Sequence, residues 1–385
     1  MNSERPSIPF NAPTIVSREL HYISQAILWG HSAGDGEFSR RCHDLLGELT
    51  QTQKVLLTPS CTAALEMCAL LLEIAPGDEV ILPSYTFVST ANAFVLRGAT
   101  PRFVDIRTDT FNLDEQQVEA QIGPRTRAIV VVHYAGVACE MDVFTRLAEK
   151  YRLVLIEDNA HGILGKYRGR PLGSFGQLAT LSFHETKNFT CGEGGALLVN
   201  DPQWMEKAEI LRDKGTNRKK FFRGEVDKYS WVSLGSSYVL SDLLAAFLLA
   251  QLESRDYVVG QRKRLWHGYY NGLRDWAESN GVQLPYVPPY CEQSYHMFYL
   301  LMPSLEERSR LIAHLKQQGI LAVFHYQPLH LSEMGHRMGC ANQRLPNTER
   351  AADCLVRLPF FTSMTDDQRE RVIACVREFK TQVGS

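Results

Sequence analysis

Seven short apolar runs divide the first two hundred residues of this 385-residue chain, most of them separated by stretches with helical spacing. The runs lie near Val55 and over residues 79–82, 102–105, 128–132, 153–157, 178–183 and 196–200; helical patterning covers 61–73, 141–150 and 201–213, among others. Connections that long do not make hairpins. They carry the chain back to the same end of a sheet, which predicts an α/β fold whose strands are mostly parallel and covered on both faces. Ligands of such sheets gather at the carboxyl ends of the strands, so the residues that close each run are the ones to read for chemistry.

One of these closing segments is Ser182-Phe183-His184-Glu185-Thr186-Lys187-Asn188, with Gly192-Glu193-Gly194-Gly195 behind it. A lysine taken at random sits on the surface of a turn. A sheltered one loses its proton readily, and the neutral amine can add to a carbonyl to form a Schiff base. A second segment, 29 residues upstream, favours the sheltered reading: Val154-Leu155-Ile156-Glu157-Asp158-Asn159-Ala160-His161 ends an apolar run in two carboxylates and a histidine. Asp158 alone would pass for a helix cap. Beside Lys187 it is the anion that a pyridoxal ring nitrogen needs if the ring is to act as an electron sink. A third segment, Thr58-Pro59-Ser60-Cys61-Thr62, opens a helix, and a helix start offers unpaired N–H groups that hold a phosphate, although capping alone also explains Ser60 and Thr62. Phe87, which closes Ser84-Tyr85-Thr86-Phe87, is placed to stack on a ring, though a core phenylalanine is the commoner case.

Together, Ser60-Cys61-Thr62, Ser84-Tyr85-Thr86-Phe87, Glu157-Asp158-Asn159-Ala160-His161 and the run from Ser182 through Lys187 to Gly195 resemble the DegT-type sugar-nucleotide aminotransferases. The resemblance runs from about Pro9 to Phe361. It implies fold type I of the pyridoxal-phosphate-dependent transferases: a large cofactor-binding domain, 1–255, and a smaller C-terminal α/β domain, 256–385. It implies pyridoxal 5'-phosphate as cofactor, with Lys187 as the lysine that bonds to it and moves the proton, Asp158 at the ring nitrogen, His161 near the ring, Phe87 over it, and Ser60, Cys61, Thr62 and Ser182 at the phosphate. Ser237, in Gly235-Ser236-Ser237-Tyr238, stands where the family commonly has an asparagine that reaches the partner subunit's phosphate. The implied assembly is a homodimer with shared active sites.

The resemblance further implies two substrates, L-glutamate as amino donor and dTDP-4-dehydro-6-deoxyglucose as acceptor at C4. Other members aminate a 3-keto sugar or give the 4-epimer, and a 3-dehydrase carries histidine in place of the lysine, against which Lys187 argues. A cofactor-binding regulator without turnover is the reading from a different class; an intact Asp158–Lys187 pair argues against it. Asn217, Arg218 and Arg223 lie in the most basic stretch of the chain, usually a solvated loop but here assigned to the substrate diphosphate, with Tyr229 nearby. His325 and Tyr326 are assigned to the substrate cleft. His325 and His330 are not read as metal ligands, since five residues of extended chain part them and no acidic or cysteine cluster accompanies them.

Composition agrees. With 44% apolar residues the chain buries a large core, and a formal charge of −2 gives no basic surface for nucleic acid. No apolar run nears a membrane span and residues 1–13 lack a signal-peptide core, so a cytoplasmic location is expected. Nine cysteines without metal-like or paired spacing read as reduced thiols. After residue 240 a helix rich in Leu and Ala is expected to end near Asp256, apolar on nearly all sides and buried against a neighbour or a second subunit. Beyond the prolines at 285, 288 and 289, strands are predicted over 296–301 and 322–326 and helices over 305–318 and 365–379.

Overall fold

The computed structural model describes residues 7–382; residues 1–6, part of the segment read for a leader, and 383–385 lie outside it. One sheet holds β1 (Lys54–Thr58), β2 (Glu79–Pro83), β3 (Thr100–Val104), β4 (Thr126–Val132), β5 (Val154–Asp158), β6 (Leu178–Ser182) and β7 (Gly195–Val199), in the order β1-β7-β6-β5-β4-β2-β3. From β3 to β6 neighbours pair in parallel, whereas β7 runs against both β1 and β6. The reversal follows from the connection: only a loop separates β6 from β7, while helices carry the chain from β1 through to β5 and a longer crossover with the short strands Lys166–Tyr167 and Arg170–Pro171 carries it from β5 to β6. Residues Ala128 to Val131 are all fully buried, as strands covered on both faces must be. Six strand ends and the start of β7 therefore share one edge, where Thr58, Pro83, Val132, Asp158, Ser182 and Gly195 all fall.

The stretch after residue 240 departs from expectation. It is two helices, Asp242–Glu253 and Arg255–Ser279, parted at Ser254. The first is buried as its composition demands, but by this chain itself: Ala245, Ala246, Leu248, Leu249 and Leu252 pack into the core under β6 and β7, and helices Glu19–Leu28 and Glu37–Thr50 cover the other side. The apolar surface left outside belongs to the covering layer, with Leu20, Ile27, Leu28 and Trp29 each more than half exposed.

A second core begins at Leu265 in the long helix and gathers Phe298, Leu300, Leu311, Leu315, Val356 and Val372. Its three-stranded antiparallel sheet is Tyr299–Leu301, Leu355–Arg357 and Val323–Phe324, with Leu355–Arg357 in the middle. These strands are shorter than the predicted runs, and His296 precedes the first of them. Ile8 also joins this core, donating its N–H to Gly319 O at 2.8 Å, so the first described residues lie against the last third of the chain. The proline-bearing segment leads to Cys291–Glu292, which pairs with Lys166–Tyr167 and is thereby pinned to the first core.

Candidate active site

The helix Cys61–Leu71 starts two residues beyond β1. Ser60 caps it, its hydroxyl accepting from Ala63 N–H at 3.0 Å, so that side chain is committed to the helix. The Cys61 and Thr62 amides lie in the first turn, where N–H groups have no partner within the helix. Gly195 opens β7 directly against this start: a Cβ there would stand 2.4 Å from Cys61 N. Only glycine permits that approach. Thr62 pairs its hydroxyl with that of Ser89 at 2.8 Å, and Cys61 Sγ lies 3.5 Å from Thr180 Oγ1 on the neighbouring strand, its thiol pushed up by burial.

At the end of β5 the two carboxylates part company, because successive side chains of a strand point to opposite faces. Glu157 is fully buried and structural. It accepts from the N–H groups of Gly173, Phe175 and Gly176 at 2.7–2.8 Å and from His133 at 2.9 Å. His133 Nδ1 accepts from Cys139 N–H, which leaves the proton on Nε2 for Glu157. Asp158 faces the other way, with Oδ2 accepting from Thr90 Oγ1 at 2.7 Å and Oδ1 from Ala160 N–H at 3.2 Å. Burial raises its pKa; the bond from Thr90 and the charge of Lys187 oppose the rise. Burial likewise pushes the Lys187 ammonium down to about 8, against the pull of Cys61 and Asp158.

Ser60, Cys61, Thr62, Phe87, Asp158, His161, Ser182 and Lys187 line one cavity of about 760 Å³ at this edge of the sheet. His325 and Tyr326 line it too. Phe87 stands at its mouth, 58% exposed. Ser237, Asn217, Arg218, Arg223 and Tyr229 do not line it. The basic stretch is tied to its own chain instead: Arg223 to Glu209 and Glu225, Lys219 to Asp35, Lys220 to Glu206 and Lys214 to Asp213. Among the described residues Arg218 forms no such ion pair, and it lies over the rings of Phe222 and Tyr229. Ser237 is exposed beside Asp213. His325 and His330 have separate partners, Tyr134 for the first, Ser84 and Glu349 for the second.

Several residues of the cavity escaped the sequence reading. Thr90, one turn into the helix Val88–Val95, holds Asp158, and nothing in its spacing announced that. His296 stacks on His161 with ring centroids 4.2 Å apart and bonds Asn188 Oδ1 at 3.0 Å, so the residue beside Lys187 is held from the second core. Arg357 reaches the cavity from the middle strand of the small sheet. His296 and Arg357 come from the second core, so only a signal that joined the two cores could have found them.

The donor set suits pyridoxal phosphate. Helix-start amides and Ser182 offer a phosphate seat, Asp158 is a buried acceptor without a cation in hydrogen-bond contact, His161 Nδ1 is buried with no partner among the described residues, and Lys187 stands in the same cavity. The family model of the DegT/DnrJ/EryC1/StrS aminotransferases matches residues 13–377.

The chain belongs to this family.

Solved structures agree over nearly the whole length. DesV of S. venezuelae is 31% identical with a TM-score of 0.89, covering 99% of this chain and 100% of its own. The sugar aminotransferase Spr1654 of Streptococcus pneumoniae, in its PMP form, is 29% identical with a TM-score of 0.89 and 97% of each chain covered. The Helicobacter pylori aminotransferase PseC, involved in the biosynthesis of pseudoaminic acid, is 25% identical with a TM-score of 0.86, covering 97% of this chain and 98% of its own. This protein is thus a sugar aminotransferase dependent on pyridoxal 5'-phosphate. Among its described residues no helix is long and apolar enough to cross a membrane.

Proposed function

We propose that the chain moves the amino group of L-glutamate to C4 of dTDP-4-dehydro-6-deoxyglucose, giving dTDP-4-amino-4,6-dideoxygalactose and 2-oxoglutarate. The observation that carries this reading is a set of long sequence strings, residues 56–64, 83–98, 133–142, 184–189 and 214–218 with 221–229, which resemble the transaminase of that reaction. A cavity of about 760 Å³ with a sheltered lysine supports it, being large enough for cofactor and sugar together.

In this reading the first turn of Cys61–Leu71 and Ser182 hold the cofactor phosphate, and Asp158 meets the ring nitrogen. Bound there, the cofactor withdraws the negative charge that develops at the carbon bearing the amino group. Asp158, fixed by Thr90 and by the Ala160 amide, stays anionic once a cation stands opposite it. Lys187 Nζ, with its pKa near 8, would move the proton of the donor carbon to the cofactor carbon in the first half-reaction and from there to the acceptor carbon in the second. Phe87 would lie over the ring with His161 near it, and His325 and Tyr326 would border the sugar. Ser237, Asn217 and Arg218 serve the site of a second copy, in a homodimer that works in the cytoplasm.

The test is an incubation of the holoenzyme and L-glutamate with a panel of nucleotide-linked 3-keto and 4-keto sugars, read by product mass and NMR. The reading expects an axial amine at C4 on the dTDP sugar. Turnover of a 3-keto isomer with none of the 4-keto compound refutes it.

A further inference from the structure

The cavity holds a cation that nothing so far has used. Arg357 extends from the middle strand of the small sheet into the cavity wall, with its guanidinium 4.6 Å from the ring centroid of Phe10 and one Nη donating to Phe324 O at a long 3.4 Å. Its Nε is buried without a partner, and no carboxylate of the described residues forms an ion pair with it. The chain's other deeply buried arginine near the site, Arg262, shows how such a group is normally silenced: its nitrogens donate to Tyr295 O, His296 O and Thr362 Oγ1. Arg357 has no comparable set, and burial drives its pKa down, the mark of a cation kept from water without a counter-charge.

We propose that Arg357 is the seat for a carboxylate of the α-amino acid donor. This rests on the aminotransfer reading of the same cavity. A guanidinium edge takes a carboxylate in a two-pronged pair, and the Phe10 ring over one face leaves that edge as the side open to a ligand. The surroundings fit one small planar anion: Phe10 and Phe324 lie against the arginine, Leu358 and Phe360 line the same cavity, and the groups that act on its charge are the neutral phenols of Tyr134, Tyr326 and Tyr85. A cofactor phosphate has its own seat at the start of Cys61–Leu71. A sugar diphosphate carries more charge than a single guanidinium offsets, and among the described residues Lys187 is the one other lysine or arginine lining this cavity. Phe10 comes from the amino-terminal segment, which also bonds Phe360 through its carbonyl and reaches Glu185 O through Asn11, so the seat is built where that segment spans both cores.

Two half-reactions separate this from the alternatives. Holoenzyme bleached by L-glutamate in single turnovers reports the donor; the aminated enzyme mixed with the keto-sugar nucleotide reports the acceptor. Arg357→Met should raise the glutamate concentration for half-maximal rate by about 10- to 100-fold, the loss of one charge-assisted pair, while the sugar half-reaction changes little. Arg357→Lys should fall between. An arm that needs no variant uses phenylglyoxal on the wild-type holoenzyme, with glutarate, an unreactive dicarboxylate, expected to protect Arg357 as read by peptide mass. An unchanged glutamate half-reaction, a loss confined to the sugar half, or labelling of Arg357 that glutarate does not slow overturns the proposal. A holoenzyme that reacts with glutamate but with no sugar nucleotide sinks the substrate reading and leaves this one standing.

Discussion

Lys187 and Asp158 stand against each other in a way that fixes two measurements. With its ammonium near pKa 8, about a tenth of the Lys187 side chains are neutral at pH 7, against a few in ten thousand for an ordinary lysine. The neutral form is the one that bonds to the cofactor. In protein stripped of cofactor, the rate of covalent capture should therefore rise with pH with a midpoint near 8, and borohydride should fix the label on the Lys187 peptide. A midpoint near 10.5, or a label on another lysine, removes Lys187 from the role. Asp158→Asn takes away the anion that holds the lysine proton, so the same midpoint should move lower. That variant should keep its cofactor, since the phosphate seat is untouched. Its turnover should drop by about 10- to 100-fold, the worth of a charge-assisted bond of roughly 1.5–3 kcal/mol. If Asp158→Asn turns over normally, the carboxylate only caps the turn after β5.

Among the elements, the tightest joint is the one between the start of β7 and the helix Cys61–Leu71. Gly195→Ala places a methyl carbon 2.4 Å from Cys61 N and against the Ser60 carbonyl, all of it backbone. Either the helix start or β7 must shift, which should cost about 1–3 kcal/mol. A thermal melt of the stripped protein should record the loss, and added cofactor should restore less of the melting temperature than in wild type because the amides that hold its phosphate have moved. Equal cofactor stabilisation in both proteins would mean that the phosphate seats elsewhere. This joint also shows what the sequence could and could not disclose. The parallel strands were legible because each apolar run is short and separated from the next by helical spacing, and the cavity residues at their ends followed from that order. Gly195 was visible as part of a glycine turn, but its reason lies in β7 pairing with β1, a contact across 137 residues or more. Thr90, His296 and Arg357 were hidden for the same cause. Each reaches the site through tertiary packing, and local periodicity carries no trace of which distant strand or helix a polar side chain will face. The helix after residue 240 was read rightly as buried, but its covering layer, Glu19–Leu28 and Glu37–Thr50, was not read at all.

For the molecule as a whole, the question is what covers the apolar surface that one copy leaves in water. The helix Asp242–Glu253, expected to need a partner, is covered within the chain. The exposed side chains are Leu20, Leu28 and Trp29 on the covering layer and Trp231, Val232 and Leu234 beyond the basic stretch, each at least half exposed. Exposed apolar side chains of this size mark interaction surfaces, and Trp231, Val232 and Leu234 lie close in sequence to the residues assigned to substrate or cofactor that the chain's own cavity lacks. A shared-site dimer accounts for both facts. Arg223 is a poor probe of it, because its ion pairs with Glu209 and Glu225 make it structural; Arg218, held only over aromatic rings, is the better one. Arg218→Glu and Lys187→Ala proteins, each inactive, should be unfolded together and refolded as a mixture. If Arg218 serves the partner's cavity, every mixed dimer carries one doubly lesioned site and one intact site, and random pairing returns roughly a quarter of wild-type activity. If Arg218 serves its own lysine, each mixed dimer has two broken sites. Mixed dimers demonstrated by mass, with no activity restored, would then assign the basic stretch to its own chain and leave the exposed apolar surface to some other contact.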